Sequence, residues 1–139
     1  MPELSDNLYD KILQMSKHAD SKLLRGECYQ AARIYFQALD LLPKPIEQWE
    51  AATWLSGRAA DALFKDRKYT EALTEIRRTM RMPGAIENPF IRLRYGQLLF
   101  ETGDFERAKQ ELLVAYATEG SAIFEDDNPK YLEFIEDVI

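Results

Sequence analysis

Three stretches of this chain repeat one spacing, and that self-similarity limits the fold more than composition does. They are GECYQAARIYFQALDLLP from Gly26, RKYTEALTEIRRTMRMPG from Arg67 and GDFERAKQELLVAYATEG from Gly103. The third residue of each is an aromatic or a thiol (Cys28, Tyr69, Phe105), and an alanine follows three later (Ala31, Ala72, Ala108). Four further on stands a large apolar residue (Tyr35, Ile76, Leu112), then a small one (Ala38, Thr79, Ala115), then a helix breaker (Pro43, Gly84, Gly120). Positions i, i+3, i+7 and i+10 share one face of a helix, and small residues there let a second helix approach closely. A unit repeated in this way is one that buries its apolar face by stacking on its own neighbours.

The rest of the chain reads as helix between breakers. Leu8, Ile12, Met15, Ala19 and Leu23 form another three- and four-residue stripe, and no run alternates apolar and polar residues as a strand would. Pro43, Pro45 and Pro83-Gly84 interrupt the pattern, Asn88-Pro89 and Asn128-Pro129 pair an N-cap with a proline, and Gly26, Gly103 and Gly120 stand at helix ends. The boundaries predict seven helices, over 5–24, 28–42, 46–65, 69–81, 89–102, 105–118 and 129–138. Short connections make successive helices antiparallel neighbours.

With these anchors the chain resembles the tetratricopeptide repeat family, helix-turn-helix units of about 34 residues. The units span about 12–45, 53–86 and 89–122 of a single domain covering 1–139, so the first connection is longer than the family's by about seven residues. The second helix of each unit fits the family. The first departs from it: the early Trp is replaced by Met15, Ser56 and Arg92, the Leu-Gly pair by His18-Ala19, Ala59-Ala60 and Tyr95-Gly96, and the Tyr by Lys22, Leu63 and Leu99. The resemblance implies an all-α fold, a right-handed α-solenoid of three hairpins closed by a capping helix at 129–138. An ordinary helical bundle with similar hairpins is the alternative architecture.

Charge is distributed in stripes. The 139 residues carry a net charge of −6, which repels phosphate backbones and argues against nucleic acid as a partner. Residues 119–139 hold seven acids against Lys130 alone, whereas 58–94 hold nine Lys or Arg against five Asp or Glu. The acidic tail is therefore expected to lie against the basic face between Arg58 and Arg94. Arg77, Arg78 and Arg81 are expected on a solvated helix face, paired with Glu71 and Glu75 at helical spacing. The sequence has no segment apolar enough for a membrane helix and no basic, apolar leader. One cysteine permits no internal disulfide, which suits a cytoplasmic location.

Catalysis and cofactors find little support. His18 is the sole histidine and takes a packing position in the repeat register; Cys28 replaces a buried aromatic and reads as an inert apolar residue. There is no phosphate-binding glycine loop and no nucleophile elbow. The FEDDNP run at 124–129 lacks the ligand spacing of a calcium loop, so no metal is expected there. The reading is of a non-enzyme without cofactor.

The resemblance places binding on the concave groove lined by first helices. Its positions correspond to Leu13, Ser16 and Asp20, then Trp54, Gly57, Arg58, Asp61 and Lys65, then Phe90, Leu93, Arg94, Gln97 and Glu101. Trp54, Phe90 and Leu93 would form an apolar patch for a protein or peptide partner; alternatively Trp54 packs on the long first connection. A clamp for a C-terminal carboxylate is disfavoured, because Ser16 and Asp20 stand where it needs Lys and Asn, and Asp20 and Asp61 repel the ligand. The stretch from Arg92 to Gly120, with IFEDDNPKYLEFI beyond it, also looks like small bacterial repeat proteins of toxin–immunity loci. That likeness implies an inhibitor that blocks a toxin domain. Dimerisation through an exposed end of the solenoid is left open.

Overall fold

Local sequence starts and stops each helix. In the computed structural model, which describes residues 3–139, the Ser5 hydroxyl accepts from the Leu8 amide and opens α1 (Asp6–Leu24). The second helix, α2, is Cys28–Asp40, and α3 is Glu50–Lys65, followed by α4 (Tyr69–Thr79). Asn88 caps the amides of Phe90 and Ile91, with Pro89 as the first residue of α5 (Pro89–Glu101). The Asp104 carboxylate caps α6 (Phe105–Glu119), and a short α7 (Lys130–Ile135) follows. Short 3₁₀ turns occupy Ile46–Gln48, Gly120–Phe124 and Glu136–Val138. The described residues contain no strand, as the periodicity predicts.

Two expected helices are shorter than their patterns suggest. The helix expected over 46–65 is interrupted at Trp49, whose backbone is extended (φ −107°, ψ 133°). Its indole N–H donates to the Pro43 carbonyl at 2.7 Å, and the ring is buried, so Trp49 packs into the long first connection. The helix expected over 129–138 keeps α geometry for six residues and then tightens to 3₁₀.

The repeat is present in backbone geometry. The turns Arg25-Gly26-Glu27, Asp66-Arg67-Lys68 and Thr102-Gly103-Asp104 join α1 to α2, α3 to α4 and α5 to α6. In each, the middle residue is left-handed, with φ of 79°, 62° and 91° in turn. The middle amide bonds the carbonyl three residues back, and the next amide reaches five back: Glu27 to Lys22 at 3.0 Å, Lys68 to Leu63 at 2.9 Å, Asp104 to Leu99 at 2.9 Å. This double bond satisfies carbonyls left over at a helix end. The carbonyls of Glu27, Lys68 and Asp104 then accept from Ala31, Ala72 and Ala108 and start the second helix.

Those three alanines have no solvent exposure, nor do Ala38, Thr79 and Ala115 seven residues on. Helices pack in chain order from α1 to α7, and α3 also touches α5. Gly96 shows how close the approach is, since a Cβ there would lie 2.8 Å from Leu112. One apolar cluster runs from Ile12 to Ala108; a second joins Leu93, Leu112, Ala115, Phe124, Tyr131 and Ile135. The C-terminal segment therefore supplies half of the second cluster and covers α5 and α6. No helix among the described residues is long and apolar enough to cross a membrane.

Candidate binding face

On α1, α3 and α5 the side chains at equivalent positions make the same contacts twice. Lys17, Arg58 and Arg94 are equivalent in the repeat register, as are Asp20, Asp61 and Gln97. Arg58 reaches back to α1, donating to the Ser16 hydroxyl at 2.7 Å and pairing with Asp20 at 3.7 Å. Arg94 reaches back to α3 in the same way and pairs with Asp61 at 2.5 Å. Each guanidinium also covers an aromatic face, Arg58 over Trp54 at 5.1 Å and Arg94 over Phe64 at 4.2 Å. Asp20 accepts in addition from the Tyr35 hydroxyl of α2, and Asp61 holds Lys65 at 3.1 Å. Burial, then the bond to Asp20, pushes the Tyr35 phenol up, so it remains a donor.

A second set of equivalent positions joins the two helices within each unit. At Ser56 and Glu75 a hydroxyl donates to a buried carboxylate at 2.6 Å, and the Thr79 hydroxyl closes the network at 2.6 Å. At the same positions one unit later, Arg92 pairs with Glu111 at 2.7 Å; one unit earlier stand Met15 and Ile34. Desolvation raises the carboxyls of both Glu75 and Glu111 against the opposing pull of Ser56 and Arg78 on one and of Arg92 on the other.

The C-terminal segment closes the α5 end of the face. Asp127 meets Arg94 at 3.5 Å, Lys130 meets Glu101 at 2.9 Å, and the Tyr131 hydroxyl donates to Glu101 at 3.3 Å. The Tyr131 ring is buried against Phe64 and Phe100, and burial with the neighbouring Glu101 pushes its phenol up.

These contacts revise the expected groove. Ser16, Leu93 and Gln97 are buried, Leu93 beneath the C-terminal segment, so they line no open surface. Arg94 and Glu101 are engaged by the tail, Asp20 and Arg58 by each other, and Asp61 by Arg94 and Lys65. Of the expected apolar patch Leu93 is lost, whereas Trp54 is half-buried and Phe90 is 66% exposed; Leu13, at the equivalent position of α1, is half-buried and extends them into a row. Lys65 is exposed at the far end of α3, and Gly57 is half-buried, with Ile91 in van der Waals range of the place its Cβ would take.

Other expectations also change. His18 is exposed, because α1 turns only Ile12, Ser16 and Ala19 fully inward. Cys28 is half-buried at the start of α2, and desolvation followed by the charge of Asp66 raises its thiol, which therefore stays protonated. The acidic tail meets the basic region only at Arg94, and Asp137 meets Lys109 instead at 3.3 Å. On α4 the pair Arg78–Glu75 forms at 3.4 Å, but Glu71 takes no basic partner among the described residues.

Two clefts were not foreseen. One, of about 750 Å³, lies where the long first connection passes Leu39, Leu42 and Arg78, and the extra residues in the repeat spacing are its signal. The other, of about 370 Å³, has Phe124, Pro129 and Leu132 among its walls and Glu125, Asp127, Glu133 and Glu136 around it; the acidic run is its signal. No protein-family model matches the chain, and no curated protein matches it either.

Proposed function

We propose that this chain is a tetratricopeptide-like α-solenoid of three hairpins with a C-terminal cap, and that it is a non-enzymatic protein-binding module of the cytoplasm. The repeated turns and the repeated bridges Arg58–Asp20 and Arg94–Asp61 support the stacking. A solenoid's repetition carries equivalent positions onto one continuous surface. The observation that carries the binding role is the accessible apolar row Leu13, Trp54 and Phe90, one residue per first helix. Charged side chains around that row are neutralised internally, so the partner is held by apolar and aromatic contact more than by charge.

The test is affinity capture from extract of the native cell, with the wild type and with Trp54→Ala/Phe90→Ala. The double variant is expected to weaken partner binding about 30-fold, corresponding to about 2 kcal/mol at hot-spot aromatics. Equal capture by both proteins, with circular dichroism showing both folded, would remove this face as the binding surface.

A further inference from the structure

Two oppositely charged surfaces of this molecule remain without partners on the molecule itself. Arg77 on α4 and Arg81 in the turn just beyond it are exposed and form no ion pair among the described residues. Arg67 and Lys68 at the start of that helix are likewise exposed and unpaired among them. In the C-terminal segment, Glu125, Glu133 and Glu136 border the 370 Å³ cleft, are exposed, and have no basic partner among the described residues. Asp127 is the one carboxylate of this cleft engaged, by Arg94. The cleft is mostly apolar between its acids, with Phe124, Pro129 and Leu132 contributing.

We propose that the occupant of this cleft is a second copy of the chain, presenting Arg77 of its α4 and Arg81 of the turn that follows. The match is chemical and geometric. Glu133 and Glu136 are three residues apart and Arg77 and Arg81 four apart, so each surface offers two like charges at similar spacing along the chain. Arginine stems are aliphatic and suit an apolar floor, while guanidinium groups pair with carboxylates in a planar fork. The whole chain is acidic, yet at about 0.1 M salt the screening length is about 10 Å, so charges at the contact count for more than the total. The contact is heterologous, one surface against a different one, so each copy keeps a free surface of each kind and assembly goes on head to tail beyond two copies, as a ring or an open chain.

Sedimentation of the full chain at about 50 mM and about 500 mM salt tests this. Weight-average mass is expected to rise with concentration at low salt without a plateau at the dimer, and association to weaken at least tenfold at high salt. Arg77→Glu/Arg81→Glu and Glu133→Lys/Glu136→Lys are each expected to remain monomeric alone, and to associate when mixed. Both variants keep a net negative charge, so general attraction cannot account for that recovery. A wild type monomeric at both salts overturns the proposal, as does a plateau at the dimer. Mixed variants that stay apart while circular dichroism shows both folded also overturn it. So does a cleft that binds an arginine-rich peptide, read by loss of that binding in Glu133→Lys/Glu136→Lys, in a protein that never self-associates.

Discussion

Arg67 stands where the other two turns have glycine, and its φ of 62° is left-handed. An L-residue with a side chain meets its own carbonyl there at a cost of about 1–2 kcal/mol, whereas glycine does not, although glycine loses more entropy on folding. Arg67→Gly is therefore expected to stabilise the protein by about 0.5–1 kcal/mol, read as a rise in the urea midpoint at unchanged slope. A lower midpoint would mean the arginine contributes through contacts instead. Gly96 presents the opposite case. Its Cβ would fall 2.8 Å from Leu112, in the closest packing of α5 on α6. Gly96→Ala is expected to cost about 2 kcal/mol by overpacking, in spite of alanine's better helix propensity. Thermal unfolding that leaves Tm unmoved would show that the helices separate freely.

At the level of helix pairs, one slot holds three chemistries: Met15 with Ile34, Ser56 with Glu75, and Arg92 with Glu111. The aligned sequence contains this pattern, but only packing shows that the polar members face each other across a hairpin. For Glu75 the pH consequence has a definite sign. Desolvation leads in raising its carboxyl, so the folded state holds a proton that the unfolded chain has already released. The associated stability is fully present below the ordinary glutamate value of 4.5 and is lost as pH rises through the folded value. Glu75→Gln removes that loss. The variant's stability relative to wild type should therefore increase from about pH 4 to about pH 7, measured by urea unfolding at each pH. A difference independent of pH would show that Ser56 and Arg78 hold the carboxylate ionised throughout. Helix limits were legible to within a few residues. The break at Trp49 was not, because an indole hydrogen bond six residues back in the chain leaves no periodic trace.

Across the whole molecule the C-terminal segment is part of the core. Phe124, Tyr131 and Ile135 complete a cluster whose other half is Leu93, Leu112 and Ala115. Tyr131→Ala is expected to cost about 3–4 kcal/mol, and Tyr131→Phe about 1 kcal/mol through the lost bond to Glu101. Equal effects of the two changes on Tm would contradict the packing role of the ring. Removing residues 123–139 exposes the remaining half of that cluster, so α5 and α6 should lose their amide-exchange protection before α1 to α4 do. Uniform loss along the chain would instead indicate one cooperative unit.

Helices, their breakers and the small residues between helices could be read along the chain, because these follow from local propensity and from a period that recurs three times. The sequence also marked Trp54, Phe90 and Leu93 as an apolar patch, and the uneven charge. Only the tertiary structure decided which of these positions remain accessible. Leu93 disappears beneath Tyr131 and its neighbours, Gln97 is enclosed, and the charges of Asp20, Arg58, Asp61 and Arg94 cancel between adjacent first helices. The sequence also suggested that the tail would neutralise the basic middle. In the fold one acid reaches Arg94, and Arg77 and Arg81 stay exposed. The reason is physical: Coulomb attraction between exposed groups is weak and screened, whereas burying Phe124, Tyr131 and Ile135 is not. Apolar contact with α5 and α6 sets where the tail lies, and its charges go where that contact puts them.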